Sequence, residues 1–416
     1  KVFFDAVVGS VHEGTPLCAF VDAPGGTGKT FTFKLLLERL RGEGHVVLAV
    51  ASSGIAATLI PGGRTFHSRF KVPIPCDQTS NCNIPVQGEL AELIQLADLL
   101  VWDEAPMLTD LIMGAWDRSL RDIMGLDVPF GGKRVVLAGD FRQILPVVPR
   151  GNRAQIVNAS LKHSPLWPCF RQFRFSMNVR ISRLLHTNLA DATSPEERAE
   201  WVAFNTQALE YAAWLLTVGN GVAPTTEPRG NRIVLPPELR VQKTQDLIDW
   251  VYPDLATNAS NTEWLAQRAI LSPKNSDVDA VNDRICTTFP GVAIILMSAD
   301  QIEDSGDGDV GGQVPVEYLN TLNVSGMPSH ALRLKGGMPL MLLRNLNPAE
   351  GLCNGTRLAY VKMLGDQVMM CTVASPGEFF GRTILIPRIR LCPSSILTGF
   401  RSNGVGSNSL SRYHLP

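Results

Sequence analysis

The chain has 416 residues, 45% of them hydrophobic and 19% charged, enough apolar material for two to four packed domains and too much for a disordered chain. Its 38 basic and 39 acidic side chains give a formal net charge of -1, and its pI is near 6.7. That balance excludes polyanion binding through bulk charge, so any contact with nucleic acid has to come from a local groove.

In chain order, Leu17–Asp22 has the composition of a buried strand. A glycine-rich turn follows, then a helical pattern over Thr30–Arg41 with Leu35, Leu36 and Leu40 facing inward. His45–Ala51 is a second strand, and Gly54–Leu59 opens a second helix. Prolines 73, 75 and 85 exclude a regular helix between Thr65 and Gln87, which is expected to form a small lobe. Glu89–Leu96 is helical, Ala97–Trp102 is a strand running into Asp103–Glu104, Leu108–Met124 is helical, and Arg134–Ala138 is a strand. Strands interleaved with helices indicate an α/β fold, a parallel sheet covered on both faces. A second α/β region is expected from about Arg171–Arg180, with a long helix over Pro195–Leu216 and a Gly/Pro-rich stretch at Val218–Pro237. Ala269–Leu271 is expected as a strand leading to Ser272–Asn275, and Val278–Arg284 as a helix. The five acidic residues between Met297 and Gly312 suit a solvated loop. Short strands over Pro339–Arg344, Arg357–Met363, Gln367–Val373 and Arg382–Arg390 suggest a small barrel or sandwich. Leu397–Pro416 carries no core pattern and is expected to be irregular.

The eight cysteines form no CxxC pair and fit reduced, mostly buried thiols. No signal peptide or membrane-length apolar run is visible. The first residue is Lys1 rather than Met, as in a fragment, and a targeting segment lost with a longer N-terminus is an open alternative.

The strongest chemical signal is Ala23-Pro24-Gly25-Gly26-Thr27-Gly28-Lys29-Thr30, set between a strand and a helix as a phosphate-binding loop must be. The backbone N–H groups of Gly25, Gly26, Thr27 and Gly28 can wrap phosphate oxygens, and the helix that follows turns its positive end to the same anion. Lys29 is suited to the β and γ phosphates of ATP, and the Thr30 hydroxyl to Mg2+. The carboxylates of Asp103 and Glu104 end a strand some 75 residues later, so Asp103 is a candidate metal holder and Glu104 a candidate base for the attacking water. Gln143, in Gly139-Asp140-Phe141-Arg142-Gln143, follows the next strand and is placed to sense the γ phosphate.

Together these pieces resemble a Pif-family DNA helicase, a superfamily-one enzyme, with Helitron-type helicases among its relatives. The resemblance extends through Ala51-Ser52-Ser53-Gly54-Ile55-Ala56-Ala57, Gly63-Arg64-Thr65-Phe66-His67-Ser68, Asp103-Glu104-Ala105-Pro106-Met107, the run Leu137–Val147, Met177-Asn178-Val179-Arg180, Leu271–Asn275, Leu334–Leu346 and Gly351–Arg357. It implies tandem RecA-like domains, the first over 1–165 with a wedge lobe at 68–88 and the second beginning over 166–285. It further implies an SH3-like insertion over 286–395 and leaves an irregular tail over 396–416. By the same resemblance, Arg180 reaches the γ phosphate from the second domain, and Ser53, Thr65, Phe66, His67 and Lys274 contact DNA. Phe66 and His67 have alternatives in the residues themselves: core packing for Phe66 and a turn for His67.

The implied activity is ATP-dependent 5′→3′ translocation on single-stranded DNA and unwinding at duplex junctions. The implied enzyme is a monomeric motor in repair, recombination or telomere maintenance. It would work in the nucleus, with the mitochondrion as the alternative, and without a membrane. The family's closing motif, near Asn-Lys-Ser-Gln-Gly-Gln-Thr, does not occur, so a truncated or degenerate ATP- and DNA-binding remnant is the competing expectation. A GTPase switch or small-molecule kinase is a third class, disfavoured because no guanine-reading NKxD element occurs.

Overall fold

The computed structural model describes residues 1–149, 151–183, 185, 194–227, 230, 232–303, 315–321, 327–347, 350–391 and 409–414. The chain divides into two compact units, Lys1–Pro236 and Pro237–Pro416.

The first unit is built on one six-stranded sheet. After helix α1 (Val2–Glu13) come β1 (Cys18–Asp22), α2 (Lys29–Gly42), β2 (Val47–Ala51), a short α3 (Gly54–Thr58), β3 (Arg64–Thr65) and α4 (Phe66–Phe70). Next are α5 (Glu89–Leu96), β4 (Leu99–Asp103), α6 (Asp110–Met124), β5 (Arg134–Gly139), α7 (Arg153–Asn158), β6 (Arg171–Arg174) and the 25-residue α8 (Pro195–Gly219). The strand order is β3-β2-β4-β5-β1-β6, and every pairing is parallel. Each strand turns alternate residues to opposite faces. Phe20, Leu48, Val50, Leu100, Trp102, Val135 and Leu137 pack on the face covered by α5 and α6. Ala19, Val21, Val47, Ala49, Ala51, Leu99, Val101, Val136 and Ala138 pack on the face covered by α1 and α2. Burial on both faces accounts for the nearly unbroken apolar runs of these strands.

Local expectations hold with specific exceptions. Leu36, Leu37 and Leu40 of α2 are buried, but Leu35 is exposed: among consecutive leucines the helix can turn only one edge to the sheet. β6 pairs with β1, so the first sheet runs past residue 165, where a domain boundary was expected. The stretch from Thr65 to Gln87, expected without a helix, opens on the short helix α4 (Phe66–Phe70), which ends before the first of its prolines, Pro73; turns follow, and Val72 and Cys82 close onto the core beside α6.

The second unit is smaller and mixed. A helix over Asn275–Thr288 precedes β7 (Ile294–Met297) and β8 (Ala299–Glu303), followed by β9 (Ala331–Leu334), β10 (Pro339–Met341), β11 (Arg357–Leu364), β12 (Val368–Val373), β13 (Thr383–Pro387), β14 (Ile389–Leu391) and β15 (Ser409–His414). Strands β10 to β13 form an antiparallel sheet in sequence order. Its alternating inward residues, among them Leu358, Tyr360, Met369, Cys371, Val373 and Ile386, make a separate core. Two expectations change here. Ala269–Leu271 is not a strand, and Leu271 is exposed. The tail is not wholly irregular, since β15 bridges β14 and β8 in antiparallel pairing. Residues 304–312 of the acidic run and 397–408 and 415–416 of the tail lie outside the described residues.

Candidate nucleotide site

In a parallel sheet, the loops after the strands gather at one edge, and ligands bind there. Four such loops meet in this chain: after β1 (Ala23–Gly28), after β4 (Asp103–Glu104), after β5 (Asp140–Gln143) and after β6 (Asn178–Arg180).

The loop after β1 takes the shape that its glycines permit. Gly26 and Gly28 sit at φ 83° and 82°, in the left-handed region that other residues enter only with strain. Thr27 is buried, and its hydroxyl donates to the Pro24 carbonyl at 2.7 Å, which closes the turn. Ala23 donates its N–H to the Gly139 carbonyl at 3.1 Å, tying this loop to the end of β5. Lys29 and Thr30 then open α2.

Lys29 is where the sequence-distant halves meet. Its Nζ lies 2.7 Å from Asp103 Oδ1 and also bonds Glu104 Oε1. Burial alone would favour the neutral amine, but the two carboxylates outweigh it and raise the Lys29 pKa. Asp103 Oδ1 also accepts the Glu104 N–H at 2.8 Å. Glu104 itself is left-handed, at φ 54°. It is held there by Ser52, whose hydroxyl donates to the Glu104 carbonyl at 2.6 Å and accepts from Trp102 Nε1 at 2.9 Å. A strained backbone fixed by its neighbours aims a carboxylate, which is the use such strain commonly serves.

Gln143 lies beside the loop. Its amide donates to Asp140 Oδ2 at 3.2 Å, and a Cβ placed on Gly25 would stand 4.0 Å from its Nε2. Asp140 is in turn fixed by Arg142, which binds Asp22 through both guanidinium nitrogens at 2.8 and 2.9 Å and Asp140 at 2.8 Å. Asn220, just beyond α8, accepts from Arg142 Nε at 2.9 Å. The hydrogen bond to Asp22 leads in holding the Arg142 pKa above the ordinary arginine value. Arg142 as this hub, Ser52 as the buttress of Glu104, and Asn178 were not assigned roles from sequence. Only their membership of the quoted motifs marked them.

Arg180 also lies against the loop, where its N–H donates to the Gly26 carbonyl at 3.1 Å. Its guanidinium is exposed and makes no ion pair among the described residues. A Cβ on Gly26 would come within 2.7 Å of Asn178 Oδ1 and 3.1 Å of Arg180 Cβ. Gly26→Ala is therefore expected to weaken ATP binding at least tenfold without unfolding the chain, through left-handed strain of about 1–2 kcal/mol and displacement of Asn178–Arg180. Nucleotide titration beside a thermal melt checks this.

The residues expected to meet DNA are not all alike. Phe66 is a correction: it is fully buried, stacked on Trp102 with centroids 3.9 Å apart and packed edge-on to Trp116 at 5.2 Å. A ring in the core cannot stack on a base. His67 is half-buried, and burial lowers its pKa, so at neutral pH it offers a neutral ring. Thr65 is half-buried as the residue before α4, and the Ser53 hydroxyl caps α3 by accepting from Ala56 N–H at 3.2 Å. Lys274 is exposed at the start of the Asn275–Thr288 helix in the second unit. Sequence reasoning passed over Arg64 and Arg69. These two and Arg41 lie close enough together that burial first, and then the other two guanidinium groups, lowers the Arg69 pKa. No described carboxylate pairs with any of the three.

A parallel α/β sheet with this glycine loop, lysine and acidic pair at its carboxyl edge defines a P-loop NTPase fold. Residues 1–229 match the PIF1-like helicase family, and residues 317–363 match the 2B domain of the DNA helicase Pif1. The chain belongs to the PIF1-like helicase family. Its relatives include ATP-dependent DNA helicase PIF4 of Trypanosoma brucei brucei, 33% identical over 141 residues, which are 32% of this chain and 17% of that protein. Another is ATP-dependent DNA helicase Pif1 of Psychrobacter, 35% identical over 134 residues, 32% of this chain and 20% of the relative. The match to ATP-dependent DNA helicase PIF1 of Danio rerio is longer, 24% over 354 residues, covering 85% of this chain and 45% of the relative. The chain thus matches well under two thirds of the length of these relatives. Among solved structures, Bacteroides Pif1 helicase in complex with ADP-AlF3 and single-stranded DNA superposes with a TM-score of 0.57 at 20% identity, covering 100% of this chain and 81% of that one. A structure of two coordinating Pif1 helicases at forked double-stranded DNA gives 0.58 at 20% identity, covering 99% and 79%. These two likenesses concern the fold. No described helix is long and apolar enough to cross a membrane.

Proposed function

We propose that the chain is the motor of an ATP-dependent 5′→3′ DNA helicase that moves along single-stranded DNA and opens duplex junctions. The observation that carries this reading is the contact of Lys29 with Asp103 and Glu104 beneath the glycine loop. A lysine and two carboxylates already in contact fit a triphosphate and its metal: the amine exchanges a carboxylate for phosphate oxygens, which frees that carboxylate for the cation. Thr30 and Asp103 would hold Mg2+, which neutralises charge on the β and γ phosphates when bound. Gly25, Gly26, Thr27 and Gly28 give their N–H groups to the phosphates. Glu104, aimed by Ser52, takes the proton of the attacking water, and Gln143 positions that water or the γ phosphate. Arg180 meets the charge that builds on the transferring group.

In this reading the second RecA-like domain begins beyond β6 of the first sheet, and the antiparallel sheet of the second unit is the SH3-like insertion. A Helitron-type origin fits the Asp103–Met107 box. The solved relatives bound to single-stranded and forked DNA support the choice of substrate, as do the unpaired guanidinium groups around Arg64 and Arg69. DNA contacts are then assigned to Ser53, Thr65, His67 and Arg64 in the first unit, with Phe66 supporting them from below, and separately to Lys274 in the second. Phosphate contacts make binding tolerant of sequence.

Two measurements follow. Glu104→Gln keeps the shape and loses the base, so ATP hydrolysis should fall ~10²–10⁴-fold while ATP affinity stays within a few-fold. An unchanged turnover with single-stranded DNA present contradicts the reading. Arg64→Ala should lower single-stranded DNA affinity for all sequences alike and reduce the slope of log affinity against log salt by about 0.7. An unaltered slope removes Arg64 from the DNA path.

A further inference from the structure

The edge of the first sheet away from the nucleotide loop gathers a separate set of metal-ligating side chains. His12 lies in the last turn of α1, Glu43 caps the C-terminal end of α2, and His45 leads into β2. One ligand atom from each lies within 4.8 Å of the other two. His12 Nε2 is 2.9 Å from Glu43 Oε2, and the two imidazole rings are 5.8 Å apart between centroids. The surroundings complete the arrangement. Arg39 takes the other Glu43 oxygen, Oε1, at 2.6 Å and leaves Oε2 facing the histidines. Asp98, next to the start of β4, stands 3.2 Å from His45 Nδ1, the position of an outer carboxylate that orients a ligand imidazole and leaves Nε2 available.

We propose that His12, Glu43 and His45 bind one Zn2+ ion, with Asp98 positioning His45 and water in the fourth place. Two imidazoles and a carboxylate are a donor set zinc accepts, at about 2.0–2.2 Å per ligand. His12 Nε2 and Glu43 Oε2, 2.9 Å apart, stand a little closer than the about 3.3 Å between two ligands of a tetrahedral ion, and the three ligand atoms lie within 4.8 Å of one another. Both His12 and Glu43 are exposed side chains at helix ends, so rotation about their χ angles opens that pair slightly and brings it onto His45 without moving backbone. The site also sits at the negative ends of two helix dipoles, α1 and α2, which favours a cation. Bound there, the ion ties α1 to α2 and β2. It does not touch the phosphate loop, so this proposal stands or falls apart from the helicase reading.

The test is titration of the full chain with Zn2+ and, for its spectrum, with Co2+. One ion per chain is expected, with a Co2+ spectrum free of thiolate charge-transfer absorption and a higher unfolding temperature in the presence of Zn2+. His12→Ala and His45→Ala should each weaken binding at least tenfold, and Asp98→Asn should weaken it about 10–100-fold. Glu43→Gln serves as a milder variant should an alanine variant unfold in the absence of metal, and it too should weaken binding. No saturable binding by the unsubstituted chain overturns the proposal, leaving a His12–Glu43 ion pair alone. Binding that survives these substitutions, or that shows thiolate bands, assigns the ion to the cysteines and overturns it equally.

Discussion

Lys29→Ala should reduce ATP hydrolysis by about 10²–10³-fold or more, the loss associated with one well-placed donor to a developing anion. The amine is the only described cation within bonding distance of both Asp103 and Glu104. Its removal takes away the charge proposed to meet the β and γ phosphates and leaves two adjacent carboxylates facing an incoming polyanion. Both effects act in the same direction, so nucleotide affinity should fall together with turnover. Lys29→Arg should rescue little, because a planar fork cannot occupy a point-charge position between two carboxylates. Steady-state hydrolysis with saturating single-stranded DNA checks the result. Activity within a few-fold of the unsubstituted chain would remove Lys29 from the chemistry.

Phe66→Ala should destabilise the first unit by about 3–5 kcal/mol, the cost of emptying a large aromatic site in a packed core. Phe66 stacks on Trp102 and meets Trp116 and Phe70, and these side chains are all fully buried. Trp102 immediately precedes the acidic pair and donates to Ser52, which holds Glu104. A cavity at Phe66 therefore loosens the buttress of the site as well as the core, and hydrolysis should fall along with the melting temperature. Chemical denaturation of the variant gives the stability change. A variant of native stability with weakened DNA binding would instead restore the DNA-contacting role that the family resemblance implies.

How far the sequence reached depended on the range of the interactions involved. The glycine loop was legible because its geometry is local: Gly26 and Gly28 need positive φ whatever surrounds them, and a strand and a helix flank them within a few residues. The acidic pair is legible as a partner to that loop, and Lys29 lies 2.7 Å from Asp103. The parallel sheet followed from apolar runs too continuous for a half-exposed strand. Phe66 was not legible, because an aromatic residue opening a short helix can face water or core, and only Trp102 and Trp116, some 36 and 50 residues on, decide it. Arg142 escaped for the same reason: its partners Asp22 and Asn220 are 120 and 78 residues away. Leu35 failed at finer scale, since three leucines in a row leave the phase of a helix to tertiary packing.

The proposed motor requires a triphosphate and its cation to be held where the loop after β1 faces the end of β4. Calorimetric titration with a slowly hydrolysed ATP analogue, with and without Mg2+, tests this most directly. One saturable site per chain is predicted, weakened when Mg2+ is chelated and lost in Lys29→Ala. Absence of saturable binding, or equal binding with and without Lys29, would contradict it.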